Sequence, residues 1–452
     1  MKLSRLLIAA VLLAGLSVAY YYAGKHEPSD TTKKPAVEPT VKILSLSEDN
    51  IVGLELRKSG ADPVVLKKND AGKWSITAPQ PLAAEQSAVS SITSAASTLT
   101  AERVVDENNT DWAPYGLGPA EIELTMSMKD GKNVKLMLGK NTPTGNAAYA
   151  RVEGDPKLYT TSGTNKTILD KTWKDLRDKR LMTFESDKIS RVELNAKKGA
   201  IEFGRVNASE WQILKPKPMR ADGLQVEELV RKLKDATMDA TISDEDAKKA
   251  ATTFASAQPV ATAKVTDAGG TQTLEVRKAK DDYYAKSSGV EGVHKVSKEL
   301  GSGLDKSLDD FRNKKLFDFG FNEPSRVEFR DGGNTSVYEK SGDKWTSAGK
   351  TMDSSTVQAF IDKIRDLQGS KFVESGFTTA QVELTVVSNE GKRTEKVQFS
   401  PAKSGDFIAK RDSEQSLYQV DAGVIQDLRT AVSGVKEPPP PAAPEAPAVK
   451  KK

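Results

Sequence analysis

The sequence predicts an α+β fold. It reads as three tandem repeats of about 135 residues, each with small antiparallel sheets packed on two helices, after an N-terminal transmembrane helix. Three observations lead there. Blocks of sequence recur at a near-constant spacing. Within each block the apolar residues switch between a period of two and a period of about 3.6. The chain also opens on a long uncharged run.

The recurrence is clearest around LRDKRLMTF (Leu176 to Phe184), which returns 135 residues later as FRNKKLFDF (Phe311 to Phe319). The same register carries SRVEL (Ser190 to Leu194) onto SRVEF (Ser325 to Phe329). Trp211 and Trp345 are 134 apart, and Trp74 lies 137 before Trp211. A second block, Gly116 to Lys132, aligns without gaps on Gly376 to Lys392 at an offset of 260. These blocks divide the body into repeat units 47–187, 188–322 and a shorter 323–434.

Within the first unit, Ile51 to Arg57, Pro63 to Lys67 and Lys73 to Thr77 read as a short meander. Ala84 to Leu99 reads as a helix with Val89, Ile92, Ala96 and Leu99 inward. Its counterparts carry N-cap residues. Asp222 precedes Gly223 to Ala236, with Leu224, Val226, Leu229, Val230 and Leu233 as a stripe, and Asp353 precedes Ser354 to Gln368. A second set of strands follows. Ile122, Leu124, Met126 and Met128 share a face, Asp130-Gly131 turns the chain, and Val134, Leu136 and Leu138 return. Tyr149 to Val152 and Leu158 to Thr160 add strands, and Asn165 to Asp178 reads as the second helix.

The flanks are of a different kind. Lys2 and Arg5 precede Leu6 to Gly24, 19 uncharged residues that span about 28 Å as a helix. Tyr20 to Tyr22 would form an aromatic belt. Residues 1–24 are thus expected to anchor the chain by a single pass in a bacterial inner membrane, N-terminus in the cytoplasm and the body extracytoplasmic. A cleaved signal peptide, cut after Ser17-Val18-Ala19, is the alternative, and it exports the same body. Residues 25–46, with Pro28, Pro35 and Pro39, read as a polar tether. Residues 435–452 read as a disordered Pro/Ala/Lys tail.

Composition narrows the function classes. With 67 basic against 63 acidic residues the net charge is only +4, interspersed, so no nucleic-acid partner is expected. Cysteine is absent, which leaves no disulfide, thiolate metal site, thiol nucleophile or lipoprotein anchor. Histidine occurs only at His26 and His294, which gives a Ser-His-Asp triad or a two-histidine zinc site little to build on. Asp244 to Asp246 and Asp281-Asp282 lack calcium-loop spacing and read as solvated charge. No phosphate-cradling glycine motif is present. The expectation is a non-enzymatic protein without cofactor, metal or catalytic residues.

Two features remain as candidate sites. The cations Arg177, Lys179 and Arg180, repeated as Arg312, Lys314 and Lys315, could bind phosphate or anionic glycan. The competing reading is architectural. Leu169, Trp173 and Leu176 keep helical spacing, and cations in a last turn suit its carbonyls. The segment occurs after the first and second units only, as a seam would. Leu176, Phe311, Phe184, Phe319 and the tryptophans Trp74, Trp211 and Trp345 are then structural repeat positions. A polar residue at Phe184 or Phe319 should loosen packing between units while each still folds. The second candidate is Trp112 and Tyr115, in the turn-rich DWAPYGLGP, as a binding surface.

Several of these segments together resemble a known family. They are the anchor, WSITAP (Trp74 to Pro79), YGLGP (Tyr115 to Pro119), LGK (Leu138 to Lys140) and LRDKRL (Leu176 to Leu181). The chain is similar to the bacterial family called domain of unknown function 4340, most closely in its first unit. The second and third units lose Tyr-Gly-Leu-x-Pro, and the third keeps only Gly376-Phe377. Members are typically encoded beside ABC transporters of the gliding-motility type. The resemblance therefore implies a membrane-tethered accessory or scaffold protein whose partners are transporter subunits or other envelope proteins, and it carries over no catalytic residue. A repeat protein binding envelope glycan or polysaccharide is the alternative. A hydrolase with paired carboxylates is a third possibility, for which no spacing argues.

Overall fold

A computed structural model of the chain describes residues 41–207 and 210–439. Among them are three antiparallel sheets and eight α-helices. The anchor 1–24 and most of the tail lie outside the described residues. Among the described residues no helix is long and apolar enough to cross a membrane.

The first sheet comprises β1 (Ile51–Lys58), β2 (Val64–Lys68), β3 (Trp74–Ala78), β4 (Leu82–Ala83), β5 (Arg103–Asp106), β6 (Ile122–Met128), β7 (Asn133–Asn141), β8 (Ala147–Val152) and β9 (Leu158–Ser162). Their order is β4-β3-β2-β1-β6-β7-β8-β9-β5. The second comprises β10 (Arg191–Ala196), β11 (Gly199–Asn207), β12 (Glu210–Lys215), β13 (Met219–Arg220), β14 (Gln258–Asp267), β15 (Gly270–Ala279), β16 (Asp282–Ser287) and β17 (Val293–Val296). The third comprises β18 (Arg326–Asp331), β19 (Asn334–Ser341), β20 (Lys344–Ser347), β21 (Lys350–Met352), β22 (Lys371–Val373), β23 (Val382–Ser388), β24 (Arg393–Pro401), β25 (Phe407–Arg411) and β26 (Leu417–Val420).

Each copy is two meanders joined through their first strands: β1 with β6, β10 with β14, β18 with β23. This corrects the expected small separate sheets. Each copy holds one continuous sheet of eight or nine strands. The strands that join it carry ordinary alternation. In β6 the residues Ile122, Leu124 and Met126 are buried while their neighbours are half-buried, so local pattern fixes the face without revealing the partner.

Helices complete one face of each sheet, except Asp244–Ser256, whose Phe254 packs against Arg277 on the strand face opposite the core residues Leu274 and Val276. The helices are α1 (Gln86–Ser97), α2 (Gly163–Leu169), α3 (Trp173–Leu176), α4 (Gly223–Lys234), α5 (Asp244–Ser256), α6 (Lys298–Gly303), α7 (Ser354–Arg365) and α8 (Ala422–Ser433). In α1, Val89, Ile92 and Ala96 lie 0, 1 and 0 % exposed in the core of β1–β3 and β6–β7. Burial of each aliphatic side chain of this kind stabilises by about 1.5–3 kcal/mol. Asp222 and Asp353 cap α4 and α7 as expected, accepting from the backbone N–H groups of Leu224 and Gln225, and of Ser355. In the first copy the cap is Glu85, accepting from Ser87 and Ala88 N–H.

Three expectations change. The predicted helix Asn165 to Asp178 breaks into α2 and α3, because Thr172 and Asp175 close a capping box that starts a new helix. Leu224, assigned to the apolar stripe of α4, is 82 % exposed, because it sits in the first turn while Val226, Leu229, Val230 and Leu233 face the core. The acidic run is solvated as expected at Glu245 and Asp246, and it opens α5 with Ser243 as its N-cap. The tether was drawn to residue 46, yet Ile43 and Leu44 are each 8 % exposed in the first core, and their N–H groups donate to Leu99 O at 2.8 and 3.1 Å.

The chain divides into two compact units, residues 1–179 and 180–452. The first contains one sheet and the second contains two.

Candidate functional site

The repeated basic segment is a connector built from backbone bonds. Leu176 ends α3 fully buried, and its carbonyl accepts from Glu85 N–H at 2.8 Å. Arg177 follows in extended conformation and bridges Ala84, and Asp178 N–H donates to Ala83 O at 2.8 Å. Arg180 then bridges Thr237, and Leu181 N–H donates to Ala236 O at 2.8 Å. The second connector repeats each bond. Asp222 N–H donates to Phe311 O at 2.7 Å, Arg312 bridges Ala221, Lys315 bridges Gln368, and Leu316 N–H donates to Leu367 O at 2.9 Å.

The cations therefore lie beyond the helix in extended chain, not in its last turn, because Leu176 already terminates α3. Phe184 (5 % exposed) and Phe319 (0 %) belong to the core of the copy that follows them. A polar residue there removes a core side chain from that copy, which corrects the expectation of loosened packing between intact units. The seam itself falls before Leu181, since Leu181, Met182 and Phe184 pack with the second sheet.

The structure also reveals a third instance of the motif. KILSL (Lys42 to Leu46) heads the first copy as RLMTF and KLFDF head the others, with Lys42 bridging Thr100. At the far end, Asp353 N–H donates to Lys436 O at 2.8 Å, the bond made by Leu176 and Phe311 in the earlier copies. The third copy thus closes as the others do, and Glu437-Pro438-Pro439 follows where a further connector would begin.

The tryptophans are core residues. Trp74, Trp211 and Trp345 are 7, 3 and 4 % exposed, each opening a strand beside its helix. Trp211 Nε1 donates to Glu227 Oε1 at 2.7 Å, and Arg205 lies 4.8 Å over its ring. In the first copy Lys68 holds the equivalent place over Trp74.

Trp112 and Tyr115, half-buried with Tyr149, pack on a small buried cluster of Leu117, Met137 and Leu158, apart from the main core. Arg151 stacks on Trp112 at 4.5 Å, and Tyr115 meets Tyr149 edge-on at 4.9 Å. The loop is pinned where two of the quoted motifs meet. Lys140 N–H donates to Tyr115 O at 2.9 Å, and a Cβ on Gly139 would lie 2.2 Å from that same oxygen. Only glycine permits this approach. Lys166 fastens the other side, donating to Glu121 Oε2 at 2.6 Å and Gly139 O at 2.8 Å.

The densest group of charges lies within the second compact unit, where the second and third copies meet. Arg220 donates to Asp318 Oδ1 (2.7 Å), Lys315 O (2.6 Å), the Tyr418 hydroxyl (2.9 Å) and both oxygens of Glu414 (3.1 and 3.3 Å). Tyr418 in turn donates to Glu414. Arg411, 3 % exposed, bonds Asp318 Oδ2 at 2.9 Å and Glu395 Oε1 at 3.0 Å. Burial works against the Arg220 charge, yet Tyr418, Asp318 and Glu414 together raise its pKa. Burial pushes the Tyr418 hydroxyl up to about 12.

Beside this network is a cleft of about 1000 Å³ holding Arg205, Asp222, Leu224, Glu227, Asp310 and Arg312 among its lining. These polar groups are engaged. Arg205 bonds Glu227 at 2.5 Å and Ser186 O at 3.0 Å. Asp310 closes a capping box with Ser307, and Arg312 bonds Asp309 and Ser416 while lying 3.3 Å over Phe372. Sequence reading missed Arg220 because its partners stand between 95 and 198 residues away. His294 lies on the edge strand β17, its Nε2 2.9 Å from Glu291 O.

No group of three or more His, Cys, Asp or Glu side chains among the described residues is arranged to hold a metal ion. No curated protein matches the chain. A family model does match, twice, over residues 74–217 and 211–386. Each match opens at or beside a core tryptophan, so the family unit runs from the third strand of one copy, through the connector, into the next. With both matches covering more than half of its length, the chain belongs to the family described as "Domain of unknown function (DUF4340)".

Proposed function

We propose that this protein is a non-enzymatic, membrane-tethered extracytoplasmic scaffold, an accessory subunit of an ABC-type transporter complex. The observation that carries the reading is where the charges go. The repeated basic segments are held by backbone bonds, and Arg312, the buried Arg220 and Arg411 and the capping acids bond backbone groups, helix ends and one another, the chemistry of a structural repeat. Its surfaces are then free to hold partners rather than to turn over a substrate. The apolar run Leu6 to Gly24 supplies the tether, and family resemblance supplies the transporter as partner. Co-purification after gentle solubilisation should recover transporter subunits with the full-length chain. Repeated recovery of the intact protein alone would overturn the proposal.

A second reading, binding of envelope glycan, draws on Trp112 and Tyr115, which remain half-exposed in the loop of the first copy. Pull-down on purified sacculi tests it. Retention lost on Trp112→Ala would favour glycan binding, and no retention of the unaltered chain would remove it.

A further inference from the structure

The clasp that holds Arg220 has a second counterpart in the chain, one that holds no arginine among the described residues. In the third copy four groups receive that arginine: the Glu414 carboxylate, the Tyr418 hydroxyl, the Lys315 carbonyl and Asp318. Strand register fixes their equivalents in the first copy. Ala150 pairs with Tyr159 as Ala409 pairs with Tyr418, so Tyr159 matches Tyr418 at an offset of 259, and Asp155 matches Glu414 at the same offset. Lys42 heads the first copy as Lys315 heads the third, with Thr100 and Gln368 as their bridge partners. Three of the four groups recur, and Ser45 stands in place of Asp318.

The geometry recurs as well. Tyr159 donates its hydroxyl to Asp155 Oδ2 at 2.6 Å, as Tyr418 does to Glu414. The nearby Lys157 ammonium goes to Glu107 at 2.7 Å. Asp155 is partly exposed.

The pair is not a requirement of the fold. The second copy has Val290 and His294 at these two positions and still forms the same strand pair. Among the described residues the third copy has no equivalent of Arg220 to offer. Thr351 takes the place of Arg220 in the third copy, facing Thr346 as Arg220 faces Gln212.

We propose that the Asp155–Tyr159 pair of the first copy, on β9 and the turn before it, is a docking site for another protein, which inserts an arginine between the carboxylate, the phenol and the Lys42 carbonyl. The occupant must be arginine-bearing. A planar guanidinium can meet a carboxylate with two N–H groups while a third reaches the phenol and carbonyl, as Arg220 does, whereas an ammonium is a compact point charge. The inference rests on the scaffold reading only in requiring a protein partner, and it does not depend on that partner being a transporter.

The test is photo-cross-linking in cells with p-benzoylphenylalanine replacing the exposed Glu153 of the full chain. The expected adduct maps to a partner segment containing an arginine. It falls about tenfold on Asp155→Asn and also falls on Tyr159→Phe, which keeps the ring and its packing. Replacing the mapped arginine by aspartate should abolish the adduct, and combining that change with Asp155→Arg should restore it. An adduct only with a second copy of this chain, one indifferent to Asp155 and Tyr159, or none at all overturns the proposal. An Asp155-dependent adduct with a protein that is no transporter subunit would uphold the surface and count against the transporter reading. Transporter subunits that co-purify without such an adduct would do the reverse.

Discussion

The connectors Leu176 to Phe184 and Phe311 to Phe319 follow the same course. Each ends a buried turn, bridges the residue before a helix cap, and feeds a phenylalanine into the next core. They differ in what flanks them. Arg220 precedes the α4 cap and bonds across to Asp318, Glu414 and Tyr418, whereas Ala83 holds the corresponding place before α1. The receiving positions differ in parallel, with Thr183, Ser287 and His294 in the second copy where the third has Asp318, Arg411 and Tyr418. The compact units follow this contrast, since the second and third copies fall in one unit. The shared bonds make a repeat, and the added charges bind two repeats into one body.

The largest effects should come from the shared part. Phe184→Ala and Phe319→Ala should each cost about 3–5 kcal/mol, by analogy with other buried aromatic truncations. Peptides of the second copy should lose protection for the first substitution, and of the third copy for the second, in native-state hydrogen exchange. Loss spread equally over both flanking copies would show that the seam is misplaced.

The added charges invite a cycle nearly as large. In the first copy Val134 and Val152 stand where the third has the buried pair Glu395 and Arg411. Arg411→Val leaves Glu395 only Arg393 and the Asp318 N–H and should cost about 3 kcal/mol, while adding Glu395→Val should recover part of that loss. Denaturant titration of the single and double variants measures it. A double variant no better than the single would mean the pair is held by more than mutual compensation.

The smallest effect concerns the capping boxes. Desolvation opposes ionisation of Asp175, but the Thr172 backbone N–H and hydroxyl outweigh it and hold its pKa below the usual value; the Ser307 hydroxyl and N–H do the same for Asp310. A lowered folded-state pKa gives stability that is present above about pH 4 and is lost as pH falls through the folded value. Asp310→Ala should therefore cost about 1 kcal/mol at neutral pH, and the difference from the unaltered chain should shrink in acid. A constant difference across pH would contradict the assignment.

Much of this was legible in the sequence. Fixed offsets located the copies, alternation located the strands, and Asp222 and Asp353 announced their helices. What stayed hidden was non-local. The pairing of β1 with β6 joins residues some 70 positions apart, and alternation is the same in one sheet or two. KILSL escaped notice because only its spacing, not its residues, repeats RLMTF closely. Arg220 looked like any surface arginine until its partners were brought from the next copy. Trp112 and Tyr115 were legible as a loop, but the glycine that lets them dock lies in a different strand.

Hydrogen exchange of the Arg220→Ala variant tests the central claim most directly, that this arginine makes one cooperative body of the second and third copies. In the unaltered protein the slowest amides of β10–β17 and of β18–β26 should share one opening free energy. In the variant they should separate, with both sheets still formed. Two opening energies already present in the unaltered chain, or a single one surviving in the variant, would contradict the account.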